Sequence, residues 1–167
     1  MGFEDELERA IPHLRRYARA LTRDLTRADD LVQDCLERAL ARRHLFRPGS
    51  PLKPWLFRIM HNIHVNELRA RAARPAEVAF DPAAADASAA ARAGERLALR
   101  DVARALDALS EEQRQVLLLV VLEDFTYREV AEVLGIPVGT VMSRLSRARE
   151  TLRRALDGEG PRLRRVK

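Results

Sequence analysis

The stretch YREVAEVLGIPVGTVMSRLSRARETLRR, Tyr127 to Arg154, constrains the fold more than any other part of this chain. Its first half has the apolar spacing of a short helix, and its second half reads as a longer helix crowded with arginine. Two helices joined so briefly must cross closely. Ala131 supplies a small residue at the crossing. Gly135 ends the first helix with a residue tolerant of positive φ, and Val130, Leu134, Ile136 and Val141 lock the pair. Pro137 suits the first turn of the second helix. This is helix-turn-helix spacing, and it exposes Thr140, Ser143, Arg144 and Arg147, side chains suited to base edges and phosphates in a major groove. The alternative is an antiparallel helical hairpin with a solvated face. The five arginines between Arg144 and Arg154 weigh against it.

The rest of the chain also reads as helix. Aromatic residues make up 5% of the sequence, so any core rests on Leu, Val, Ile and Ala, which favours helices over sheets. Leu7, Ile11, Leu14, Ala18 and Leu21 form a stripe along Phe3 to Leu21, and Leu31, Val32, Cys35, Leu36, Ala39 and Leu40 form another along Asp29 to Ala41. His44 to Pro54 is a loop by its turn chemistry. A third helix covers Trp55 to Arg74, with Leu56, Ile59, Met60 and Ile63 inward. A fourth covers Arg96 to Leu109. Ser110 then caps a helix to about Glu123, with Gln113 completing a capping box, and Thr126 does the same with Glu129 for Tyr127 to Leu134. Between these groups lies PAEVAFDPAAADASAAARAG, Pro75 to Gly94, which has no apolar face to bury and reads as a partly flexible linker with a nascent helix near its end. The expected fold is therefore all-α, with two small helical domains, residues 1–74 and 95–157, joined by a linker over 75–94. A basic tail, 158–167, follows.

Charge is clustered. Arg42 to Arg74 holds eight basic residues against one acid, net +7, and Tyr127 to Lys167 is net +5, within a chain of +5 overall. Two basic blocks in an otherwise acidic chain point to nucleic acid. On the first block, Arg58, Asn62, Asn66 and Arg69 share one helical stripe: Asn suits base edges and Arg suits phosphate. Trp55 precedes them, as a core residue or as a platform for unpaired bases. Asp30, Gln33, Asp34 and Glu37 line the polar face of the second helix, fit for a basic protein surface or for solvent alone.

Other classes find little support. Cys35 is the only cysteine, so no disulfide framework is possible within the chain. The acidic start, MGFEDELERA, is not a signal peptide, and the apolar run Val116 to Leu122 is too short for a membrane span; a cytoplasmic address is expected. His13, His44, His61 and His64 form no metal pattern, and there is no phosphate-binding loop or nucleophile elbow. No cofactor and no enzymatic activity are expected.

Taken together, these motifs resemble the extracytoplasmic-function (ECF) sigma factors of bacterial RNA polymerase, along nearly the whole chain. DDLVQDCLERAL, Asp29 to Leu40, is similar to the core-polymerase-binding helix. PLKPWLFRIMHNIHVNELRAR, Pro51 to Arg71, is similar to the segment that melts and reads the −10 promoter element. Leu109 to Arg153 is similar to the −35-reading domain. The resemblance implies that residues 1–74 are sigma region 2 and residues 95–157 are sigma region 4. Asp30, Gln33, Asp34 and Glu37 would meet the clamp helices of the polymerase largest subunit. Trp55, Arg58, Asn62, Asn66 and Arg69 would face the −10 element, with Phe46, Arg47 and the loop to Ser50 near a captured base. Thr140, Ser143, Arg144 and Arg147 would enter the −35 groove, and the linker would follow the RNA exit path. An anti-sigma partner and release by a signal or stress are also implied. Asn66 stands where many members carry Asp, and Met142 where many carry Arg or Lys.

Two weak DNA contacts docked on one polymerase act as one through effective concentration. A stand-alone helix-turn-helix regulator would leave the Arg42–Arg74 block without a role. A sigma mimic that titrates an anti-sigma factor should have lost Arg58, Arg69, Arg144 and Arg147.

Overall fold

The computed structural model describes residues 2–74 and 93–159, and the linker expected at Pro75 to Gly94 lies outside them except for its last two residues, which are helical. Seven α-helices follow one another among the described residues: α1 Phe3–Thr22, α2 Leu25–Ala41, α3 Leu52–Ala73, α4 Ala93–Asp107, α5 Glu111–Val121, α6 Tyr127–Leu134 and α7 Val138–Glu159. A single 3₁₀ turn, Arg43–Leu45, follows α2.

The apolar stripes place the helices where expected, and local chemistry sets their ends. Arg23 terminates α1 in the left-handed conformation, φ 55°, and Asp24 caps α2 by accepting from the Arg27 N–H at 3.0 Å. This cap starts α2 four residues before the expected Asp29. Likewise α3 begins at Leu52 rather than Trp55, because Pro51 precedes the helix and Pro54 falls in its first turn, where no N–H is needed. The two expected capping boxes, Ser110 with Gln113 and Thr126 with Glu129, are both formed.

Helices α1 to α3 pack around Leu14, Leu31, Cys35, Leu56 and Met60, and α4 to α7 around Val116, Leu119, Val130, Val141 and Leu145. The two cores do not stop at their own boundaries. They merge into one buried cluster where α1 and α3 meet α5 and α6. Tyr17 of α1, Phe57 of α3 and Phe125 of the α5–α6 turn form an edge-to-face ladder across this seam, with successive ring centroids 5.2 Å apart. Asp124 takes a left-handed conformation, φ 55°, and the Phe125 N–H donates back to the Leu119 carbonyl at 3.2 Å. The sharp turn so formed carries Glu123 and Phe125 into the wall of α1 and α3.

Glu123 is 3% exposed, and both its carboxylate oxygens are partnered. Its carboxylate accepts from Arg16 Nε at 3.2 Å and Nη2 at 3.0 Å, and lies 2.9 Å from His13 Nδ1 and 3.0 Å from Lys53 Nζ. Lys53 also donates to the Glu123 carbonyl at 2.9 Å, and Arg16 donates to the carbonyl of Leu122. The ammonium of Lys53 sits over the Phe125 ring, 5.0 Å from its centroid. Two further pairs close the seam: buried His64 of α3 with Glu111 of α5, and Arg23 with Asp107. Burial alone would raise the Glu111 carboxyl, but the hydrogen bond and charge of His64, with Gln115 and Arg114, hold it below the usual carboxylate range.

Neighbouring His61 is pushed down to about 4, first by burial and then by His64, with Glu111 opposing. In the unfolded chain its imidazole takes up a proton near pH 6.5. Unfolding therefore binds more protons between pH 6.5 and about 4, and stability falls across that window as pH drops. The expected loss, screened by partial exposure, is roughly 1–3 kcal/mol. Chemical denaturation of wild type and His61→Asn at pH 7 and pH 4.5 checks it: the variant should lose less stability on acidification.

Candidate nucleic-acid interface

The helix-turn-helix forms as its spacing requires. Gly135 closes α6 at φ 66°, and the Ile136 N–H donates to the Ala131 carbonyl at 3.1 Å. The Pro137 carbonyl accepts from the Thr140 and Val141 N–H groups, which starts α7. Val141, Leu145 and Ala148 are buried beneath α7, while Met142, Ser143, Ser146, Arg147 and Arg149 face solvent. Ser143 and Arg147 therefore stand where a groove would meet them. Thr140 and Arg144 are half-buried, and Arg144 reaches Glu112 of α5 at 3.3 Å, so a DNA contact through Arg144 competes with that pair. Ser146 and Arg149 extend the same face and were legible from the 3.6-residue period. Arg153 and Arg154 are both spent on Glu150, whose carboxyl their hydrogen bonds hold below its ordinary range.

The second basic face lies on α3. Arg58, Asn62, Asn66 and Arg69 are all exposed along one side, while Phe57, Met60 and His64 fill the core from the other. Among the described residues none forms an ion pair with Arg47, Arg58, Arg69 or Arg147. At the head of α3, half-buried Trp55 packs on Phe46, ring centroids 5.3 Å apart. Packing against the core agrees with the core reading of this Trp. Beyond Phe46 the chain turns over Arg47–Ser50, all exposed, with Gly49 at φ 85° and the Ser50 N–H donating to the Arg47 carbonyl at 3.1 Å.

The acidic face of α2 is also presented whole. Asp30, Gln33, Asp34 and Glu37 are exposed, with Gln33 donating to Glu37 at 3.1 Å. Beside them a shallow groove between α1 and α2 exposes Leu40, with Val32 and Leu36 at its floor and Arg19 opposite. Among the described residues, no helix is long and apolar enough to cross a membrane, and no group of His, Cys, Asp and Glu is placed to hold a metal ion. Sequence reasoning missed Glu123 and Phe125 as seam residues, and it missed Phe3, which joins Phe46 and Trp55.

An all-helical molecule with a helix-turn-helix and a second exposed basic helix belongs to the class of multi-helix DNA-binding proteins. The comparisons narrow the class. The family profile described as Sigma2 domain of PhyR matches residues 7–61, and that described as Sigma-70, region 4, matches residues 99–152. The chain is 38% identical to ECF RNA polymerase sigma factor EcfG of Rhodopseudomonas palustris (strain TIE-1) over 159 residues, 95% of this chain and 87% of that protein. It is 33% identical to ECF RNA polymerase sigma factor SigM of Mycobacterium tuberculosis, covering 93% of this chain and 77% of that one. Among solved structures it superposes on the sigma factor RpoE, crystallised with the anti-sigma factor NepR from Bartonella quintana, with a TM-score of 0.75 and 34% identity, over 94% of this chain and 98% of the other. It also superposes on CnrH in complex with the cytosolic domain of CnrY, with a TM-score of 0.69 and 30% identity, over 94% and 88%. The chain belongs to the extracytoplasmic-function family of RNA polymerase sigma factors, the alternative sigma factors of transcription initiation.

Proposed function

We propose that residues 1–74 act as region 2 and residues 95–157 as region 4, and that the chain carries core polymerase to promoters through three of its faces. Asp30, Gln33, Asp34 and Glu37 dock on the clamp helices of the largest subunit. Arg58, Asn62, Asn66 and Arg69, with Trp55 and the loop from Phe46 through Arg47 to Ser50, engage the −10 element. Ser143 and Arg147, joined by Thr140 and by Arg144 once it leaves Glu112, enter the −35 groove. The bond-forming chemistry belongs to the polymerase, and the site of action is the cytoplasm, where polymerase and DNA are. The observation that carries this reading is that α3 and α7 each present exposed arginines with no ion-pair partner among the described residues, Arg58 and Arg69 on α3 and Arg147 on α7.

The seam then has a mechanistic consequence. A compact chain of this size is about 40 Å across. Elements centred near −10 and −35 lie about 25 base pairs apart, or about 85 Å of duplex at 3.4 Å per step. The closed molecule reaches only about half that distance, so holding both elements requires the two units to part. An anti-sigma partner of the kind crystallised with RpoE is the natural holder of the closed form. Release by a signal, including stress, completes the cycle.

Run-off transcription with purified core polymerase and a pooled promoter library, with and without the chain, tests the proposal. Initiation at promoters sharing two spaced elements is the expected result. Absence of initiation together with binding to duplex DNA by the chain alone would instead support a stand-alone regulator. Absence of both would support a mimic. On a responsive promoter, Arg147→Ala is expected to lower −35-dependent initiation about tenfold, with affinity for core polymerase unchanged, as read by competitive holoenzyme assembly.

A further inference from the structure

The first turn of α1 is tied to the loop at the head of α3. Phe3 packs in a tilted contact against Phe46, with centroids 5.6 Å apart and planes at 56°, and meets Trp55 edge-on at 6.3 Å. Phe46 and Trp55 complete a three-ring cluster. The guanidinium of Arg43 lies over the Phe3 ring, 5.2 Å from its centroid, and bonds Glu4 at 2.9 Å. Arg43 and Phe46 bracket the 3₁₀ turn, and the Phe46 N–H donates to the Arg43 carbonyl at 3.1 Å. The root of the Arg47–Ser50 turn is thus held from three directions, all converging on Phe3.

The three rings pack on the edge of the core rather than inside it. Phe3 is only half-buried, Glu4 and Arg43 are exposed, and an ordinary surface pair contributes little to stability. What the cluster does is fix the direction in which a short polar loop projects. A loop that must receive one unpaired base loses affinity in proportion to the freedom it gives up on binding.

We infer that Phe3, with the Glu4–Arg43 pair, is a positioning element for capture of a −10 base by the Arg47–Ser50 turn. Phe3 itself need not touch DNA. It presses Phe46 and Trp55 into the geometry that presents the turn, so that the first helix takes part in reading the −10 element. This rests on the reading of that turn as a capture loop.

The test uses holoenzyme built from the full chain and a promoter that the wild-type holoenzyme opens. Abasic sites are placed one at a time along the non-template −10 strand of a forked promoter duplex, and affinity is measured for each. With wild type, one position is expected to show a penalty of about tenfold. Phe3→Ala should flatten that penalty to about twofold and leave the other positions and polymerase binding nearly unchanged, while lowering the melting temperature by a few degrees for the lost ring contacts. Phe3→Tyr, which keeps the ring, should retain the penalty. Glu4→Arg and Arg43→Glu should each reduce it, and the two together should restore it. A purely structural Phe3 would lower affinity evenly at all positions, and that result would overturn the inference. If Arg47→Ala/Ser50→Ala removes the penalty but Phe3→Ala keeps it, the positioning role alone fails. If neither changes it, the capture-loop reading fails and the inference falls with it.

Discussion

Glu123→Ala is expected to open the molecule. The carboxylate is fully buried and holds Arg16, Lys53 and His13 together across the seam. Without it the Arg16 and Lys53 cations and the His13 ring face one another around a cavity. Removing one partner of a buried pair commonly costs about 3–5 kcal/mol, and here partial exposure of the Arg16, Lys53 and His13 partners brings the loss nearer ~2 kcal/mol. That is about thirtyfold in the opening equilibrium. If binding to both promoter elements needs the parted form, apparent promoter affinity rises with the open fraction. Small-angle scattering should report a larger radius of gyration for the variant, and duplex promoter binding by the free chain should strengthen by roughly tenfold or more. A lowered melting temperature with unchanged radius and affinity would instead make Glu123 a part of one inseparable fold.

Asp34→Arg is expected to abolish assembly with core polymerase. Asp34 is exposed at the centre of the acidic face, between Asp30 and Glu37, and no core residue depends on it. Charge reversal in the middle of a desolvated interface costs about 2–5 kcal/mol, or roughly 30- to several-thousand-fold in affinity. Circular dichroism and melting temperature should stay those of wild type. Unchanged competition against the wild-type chain for core polymerase would remove this face of α2 from the interface.

Much of this was legible beforehand because it depends on period and on capping. The stripes of α1 to α3, the Ser110 and Thr126 caps and the Gly135 turn are all local rules, and most residues of the three faces could be assigned to solvent from their position on a helix, whereas Thr140 and Arg144, read as exposed, are half-buried. The ends that were misplaced, Asp24 for α2 and Leu52 for α3, turned on a single side chain or on a proline read as a loop marker when it sat in a first turn. The seam was not legible at all. Glu123 looks like any surface glutamate at the end of a helix, and only the left-handed Asp124 turns it inward toward residues more than a hundred positions earlier in the chain. Phe3 was hidden for the same reason: an aromatic near the start of a helix gives no local sign that it will meet Phe46 and Trp55.

Cys35 lies fully buried, its thiol donating to the Leu56 carbonyl at 3.4 Å, and burial pushes its pKa up to about 12. A thiol so protonated and so sealed is inert to peroxide and to disulfide exchange. The one cysteine of the chain is therefore no redox sensor. If oxidants govern when this sigma factor works, the chemistry of detection has to reside somewhere other than this thiol.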